Sequence, residues 1–236
     1  MNNTLANGLS VLGFLSQTAA SFGVSELATQ LKLPKSHVHR LLQTLVETGY
    51  VVQQEDRRYR IGLRPLEISC ALLHNLPLRS AALPSLHHLA KTFGLDAFVA
   101  IPHQGAGLIV AAVYADGRQR DPAASIGTTL KMGTATWKLF TACVSDFGSS
   151  PLTATELKQI RRERFVVKDP DLGVSMGNGM AALVSDLAGN VHGAICSSGP
   201  GDEFRRGFKQ NAALLRATAD KLGATFPVQA SAKAST

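Results

Sequence analysis

Residues 33–53 read LPKSHVHRLLQTLVETGYVVQ. Val38, Leu41, Leu42 and Leu45 stand at i, i+3, i+4 and i+7, which places four apolar side chains on one stripe of a helix. Pro34 suits the first turn of that helix, since its missing N–H is not needed there, and Gly49 suits its stop. The opposite face carries Ser36, Arg40 and Gln43, flanked by Lys35, His37, His39 and Thr44. Every one of these can donate or accept a hydrogen bond. A helix-turn-helix asks for this arrangement: one face packs, and the other meets base edges and phosphates in the major groove.

Upstream, Ser25 reads as the N-cap of a short helix over 26–32, with Leu27, Ala28 and Leu31 turned inward, and Leu33-Pro34 ends it. Downstream, residues 50–52 and 59–61 read as two short strands around 53–58, with Arg57 and Arg58 near the tip. Such a hairpin is a wing that reaches the adjacent DNA backbone or minor groove. Residues 1–62 therefore read as three helices and a hairpin, a winged helix-turn-helix. From Met1 to Arg64 there are seven basic and four acidic residues. This excess is modest, so affinity must rest on placed contacts and on dimerisation.

Residues 63–80 read as a linker helix, through Leu66, Cys70 and Leu73, and Pro77 should end it. A helix over 78–93 carries Leu83, Leu86, Leu89 and Phe93 on one side and stops at Gly94. Strand-like runs at 97–102, 108–114, 178–184 and 191–197 alternate with helical stretches at 134–144 and 155–164. One long last helix is expected over 203–222, from the spacing of Phe204, Phe208, Ala212, Leu215 and Ala219. Asp116-Gly117 and 188–190 look like hairpin turns. Residues 81–228 thus read as an α+β domain, an antiparallel sheet flanked by helices, and 229–236 as a disordered tail.

The 236 residues are 45% hydrophobic and 17% charged, with a net charge of +7, as in globular proteins whose partners include polyanions. Cys70, Cys143 and Cys196 are isolated, which suggests neither a disulfide framework nor a metal site. The first basic residue is Lys32, and no apolar run is long enough to span a bilayer, so a cytoplasmic protein is expected. No hydrolase, metalloprotease, phosphate-loop or dinucleotide fingerprint occurs, so neither an enzyme nor a cofactor is expected. An enzymatic alternative would make Cys196 a nucleophile, with His87, His88, His103 or His192 as its base, but no fixed signature joins them.

The run over 33–53, with RRYRIGLRPLEI at 57–68, resembles the isocitrate lyase regulator (IclR) family of bacterial transcription factors, over about residues 7–226. The resemblance makes residues 34–48 the recognition helix. Where the family usually has a basic residue at the start of its first helix, this chain has Asn7. GTATWKLFTA (133–142) resembles a family helix, with Lys138 retained and Trp137 in a glycine's place. RERFVVKDPD (162–171) resembles the segment leading to a ligand-facing acidic turn, and AICSSGP (194–200) resembles a family strand end. What the resemblance implies is a GAF-like domain that binds a small organic acid or aromatic effector, in a homodimer or dimer of dimers on DNA. Its effector residues would be Met132, Gly133, Thr134, Asp169, Gly179, Cys196 and Ser198. The alternative reading is a regulator whose second domain only oligomerises. In the effector reading, two winged domains sit on a pseudo-palindromic operator, and ligand binding changes the placement of their recognition helices.

Overall fold

Val38, Leu41 and Leu42 are buried together with Val11, Leu15, Leu27, Val51 and Tyr59, and this cluster is the core of the first of two units. The structure, a computed structural model, describes residues 3–115, 125–168 and 178–227. It divides into Met1–Asn75 and Leu76–Thr236.

The first unit holds α1 (Asn3–Leu15), α2 (Val24–Leu31), α3 (Lys35–Glu47), the hairpin β1 (Val51–Gln53) and β2 (Tyr59–Ile61), and α4 (Arg64–His74). The α2 start differs from the reading above. The helix begins one residue before Ser25, because the Glu26 carboxylate reaches back to accept the Gly23 N–H at 2.9 Å and caps the end from inside. Phe22 adds a bridge to the hairpin through reciprocal backbone bonds with Tyr59, at 2.9 and 2.8 Å.

The second unit is a six-stranded antiparallel sheet between two sets of helices. Its strands are β3 (Asp96–His103), β4 (Ala106–Val113), β5 (Thr129–Leu130), β6 (Phe165–Lys168), β7 (Asn178–Ser185) and β8 (Val191–Gly199), in the order β5-β4-β3-β8-β7-β6. On one face lie α5 (Pro77–Phe93) and α9 (Phe208–Gly223). Two glycines let them close in: a Cβ on Gly193 would sit 2.5 Å from Leu78 Cδ2, and one on Gly223 would collide with the Ser185 backbone. On the other face α6 (Ala135–Cys143) and α7 (Ala154–Glu163) cover a core of Phe98, Ile109, Trp137, Phe140, Val166, Ala181 and Cys196.

The expected single helix over 203–222 is two. Helix α8 (Gly201–Arg205) ends, Gly207 takes the left-handed conformation at φ 70°, and α9 starts again at Phe208. The β7–β8 turn forms where 188–190 predicted it, gathered by the Asp186 carboxylate, which accepts the Ala188 and Asn190 N–H groups at 2.9 Å. The turn read at Asp116-Gly117 and the tail at 229–236 lie outside the described residues.

Candidate nucleic-acid interface and effector site

Lys35, Ser36, His39, Arg40, Gln43 and Thr44 are all exposed on α3, on the side away from buried Val38, Leu41 and Leu42. The stripe forces this division: once the apolar side chains dock, the 100° step per residue leaves the hydrogen-bonding ones in water. His37 is half-buried, and its Nε2 lies 3.1 Å from Asn7 Nδ2, so its ring braces α3 against α1.

The hairpin separates the two arginines that the sequence placed together. Arg57 stands exposed at the turn with φ 64°. Arg58 turns back instead. Its guanidinium donates to the Ser21 carbonyl at 2.7 and 3.1 Å, and its Nη2 lies 2.8 Å from Glu26 Oε2. The Gly23 N–H and then Arg58 hold the Glu26 carboxyl below its ordinary value. Arg58 therefore fastens the wing to the start of α2.

Of the residues expected at an effector site, Gly179 and Ser198 are cross-strand partners on β7 and β8. Cys196 lies two residues from Ser198 on the same face, but it is sealed in the core, with its Sγ 3.2 Å from Thr136 Oγ1. Burial pushes its thiol up to about 12. A thiol so buried supplies no nucleophile at neutral pH. Thr134 caps α6: its hydroxyl accepts the Trp137 N–H at 3.1 Å and donates to the Lys131 carbonyl at 3.0 Å. Gly133 precedes it with φ 93°. Met132 is exposed and borders a depression of about 460 Å³ with His103, Phe147 and the edge of Trp137. Trp137 itself packs into the sheet core. The expected residues thus fall in two places, the β7–β8 strand ends and the start of α6. Asp169 lies outside the described residues.

One residue absent from that set stands beside it. Lys168, paired with Gly179 in register, is only 7% exposed. Phe165 lies under the Arg216 guanidinium of α9, at 4.2 Å, while Val166 joins the α6 core, so strand alternation sends Lys168 to the α6 face. The clue in the sequence was a lysine at an inward position of a strand-like FVVK run. Among the described residues no group of three or more His, Cys, Asp or Glu side chains could hold a metal ion.

A helix-turn-helix with its wing, followed by a sheet domain with helices on both faces, defines a DNA-binding regulator. The model of the IclR helix-turn-helix domain matches residues 4–55. Similar over most of their length are the transcriptional repressors AllR of Salmonella typhimurium (26% identical, 91% of this chain and 86% of that one) and of Escherichia coli K12 (24%, 96% and 91%). Among solved structures, the Thermotoga maritima IclR superposes with TM-score 0.73 at 20% identity, covering 94% of this chain and 98% of that one. An IclR homolog from Microbacterium hydrocarbonoxydans, complexed with 4-hydroxybenzoate, gives 0.76 at 19%, over 93% and 97%. Residues 4–55 thus match an IclR-type helix-turn-helix domain, and the chain as a whole is similar in sequence to AllR repressors and shares the fold of solved IclR regulators. No helix among the described residues is long and apolar enough to cross a membrane.

Proposed function

We propose that this protein is a cytoplasmic, sequence-specific transcriptional regulator that binds a pseudo-palindromic operator as a homodimer or dimer of dimers. Its second unit binds a small organic acid or aromatic effector, and it has no enzymatic role. The carrying observation is the exposed polar face of α3, with Arg40 at its centre and the packed stripe behind it. Lys35, Ser36, His39, Gln43 and Thr44 complete the contact face, His37 supports it from the α1 side, and Arg57 reaches phosphate from the wing. The named function of the AllR relatives supports repression as the sign of control. The ligand of the Microbacterium homolog supports a carboxylate-bearing effector. Gly179, Ser198 and Thr134 would border that ligand, with Cys196 behind them and Met132 and Gly133 at the α6 end, and Asp169 is included on the family pattern alone. An effector can shift the protein between two arrangements only by binding one of them better.

The test is a gel shift on DNA upstream of the protein's own and neighbouring genes. Arg40→Ala should weaken specific binding by about 1–3 kcal/mol if the guanidinium reads a guanine. Undiminished binding by a variant with wild-type circular dichroism would remove Arg40 from the interface.

A further inference from the structure

We propose that the outer edge of β6 is a docking site for an extended acidic segment of a partner protein, which adds to the sheet by pairing with the Phe165 and Val167 backbone. The site lies apart from the DNA-reading face and from the residues expected at the effector, and it depends on neither reading.

One bond fixes the direction of the backbone groups. The Leu183 N–H donates to the Arg164 carbonyl at 2.9 Å. With Phe165 opposite Ala182 and Val166 opposite Ala181, antiparallel alternation turns the N–H and C=O of Val166 towards β7 and those of Phe165 and Val167 away from it. On that outer side β6 is the last strand of the sheet. No backbone bond reaches Phe165 or Val167 from there among the described residues. The run Phe165-Val166-Val167 is apolar, without proline and without a break in register. It therefore lacks the proline, charge and bulge by which sheet edges commonly refuse a further strand.

The edge is also the floor of a groove between α7 and the α8–α9 pair. A hollow of about 610 Å³ runs along it, and a second of about 490 Å³ adjoins on the α8 side. Both are lined by Val167, Phe208 and Lys209. Val167 and Phe208 are half-buried, so they offer apolar contact to alternate side chains of an added strand.

Charge selects the occupant. Lys138, Arg205, Lys209 and Arg216 line these hollows against Glu156 and Glu163. Glu156 is engaged in the α7 cap, where it accepts the Thr153 N–H and hydroxyl at 2.8 Å. Glu163 accepts from Gln159 Nε2 at 3.0 Å and lies 3.7 Å from Arg216 Nη2. Lys209 is exposed and has no anionic partner among the described residues. A second copy paired edge to edge about Val166 would set Arg164 opposite the other copy's Lys168 and gather both sets of cations along one seam. Like charges directly opposite destabilise a strand pair. A segment that alternates acidic and apolar residues supplies the missing negative charge together with the backbone pairing.

The experiment uses the full chain and short fluorescent peptides read by anisotropy. Glutamate alternates with valine in one and with phenylalanine in another. Matched controls carry lysine for glutamate, or N-methyl groups that remove alternate backbone donors. At least one acidic peptide should bind saturably, its lysine counterpart at least about tenfold more weakly, and its N-methylated counterpart not at all. The bound acidic peptide should slow amide hydrogen exchange at Phe165 and Val167, as a paired strand does and a charge contact alone does not. Val167→Pro deletes one outward N–H at an edge position where proline is tolerated, so it should abolish binding and keep a wild-type circular dichroism spectrum. If that variant does not fold, Lys209→Glu decides, with an expected loss of about tenfold in affinity. No binding by either acidic peptide, equal affinity for the lysine control, unchanged exchange at both amides, or wild-type affinity in the deciding variant would overturn the proposal. Self-association that Val167→Pro alone disperses in sedimentation, with no peptide bound, would assign the edge to a second copy instead.

Discussion

Two neighbouring arginines in the wing have different physical fates, and a salt titration can tell them apart. Arg57 is exposed at the tip, where a guanidinium can meet a phosphate and displace a counterion. Its removal should reduce the slope of log K against log salt by about 1, with the uniform loss across DNA sequences expected of a backbone contact. Arg58 has committed its donors to Ser21 and Glu26. Arg58→Ala should therefore leave the salt slope near wild type while it loosens the hairpin, read as faster amide hydrogen exchange at Tyr59. A slope reduced equally by both substitutions would return Arg58 to the DNA. Both residues were visible in the sequence as basic and near a turn. What separates them is the approach of α2 to the hairpin, a contact between residues 32 positions apart that no local pattern encodes.

At the scale of elements, the joint between α2 and the wing depends on one carboxylate. Glu26 caps α2 through the Gly23 N–H and holds Arg58, and both interactions favour its ionised form and lower its pKa from 4.5. A group depressed in the folded state stabilises fully above its unfolded value, and that contribution is lost as pH falls through the folded value. The stabilising effect of Glu26 should therefore be complete near neutrality and fade below about pH 4.5. Thermal melts of wild type and Glu26→Gln should differ at pH 7 and converge on acidification; a gap constant from pH 7 to pH 3 would exclude the joint. This joint also marks where the sequence misled. Ser25 is a good cap by type, but Glu26 supplies the bond instead. The α3 stripe was legible because its signal is periodic and local. The break at Gly207 was not, because Phe204, Phe208 and Ala212 keep helical spacing straight through it. The short edge strand β6 gave little pattern to read, and the burial of Lys168 depends on β7 and α6, elements brought in from elsewhere in the chain.

Across the whole molecule, the least settled surface is apolar. Helix α4 has no buried residue, and its Leu66, Ile68 and Leu72 are 60%, 47% and 61% exposed, while Leu5 and Leu9 of α1 also face water. Eleven residues are too few to hold a helix in water by propensity alone, so most of its stability must come from packing against something. On the proposed dimeric reading, a second copy would be that cover, and it would also answer the modest charge of the DNA-binding unit. Two recognition helices spaced one helical turn apart, about 34 Å, double the placed contacts on a symmetric operator. Full burial of each leucine would contribute about 1.5–3 kcal/mol to that association. The double variant Leu66→Lys, Leu72→Lys should therefore shift the protein from dimer to monomer in sedimentation equilibrium. Operator affinity should fall with it, because each monomer then holds a half-site alone, while the exposed face of α3 is untouched. A variant that remains dimeric and binds as wild type would place self-association on another surface, and α4 would then need a different cover.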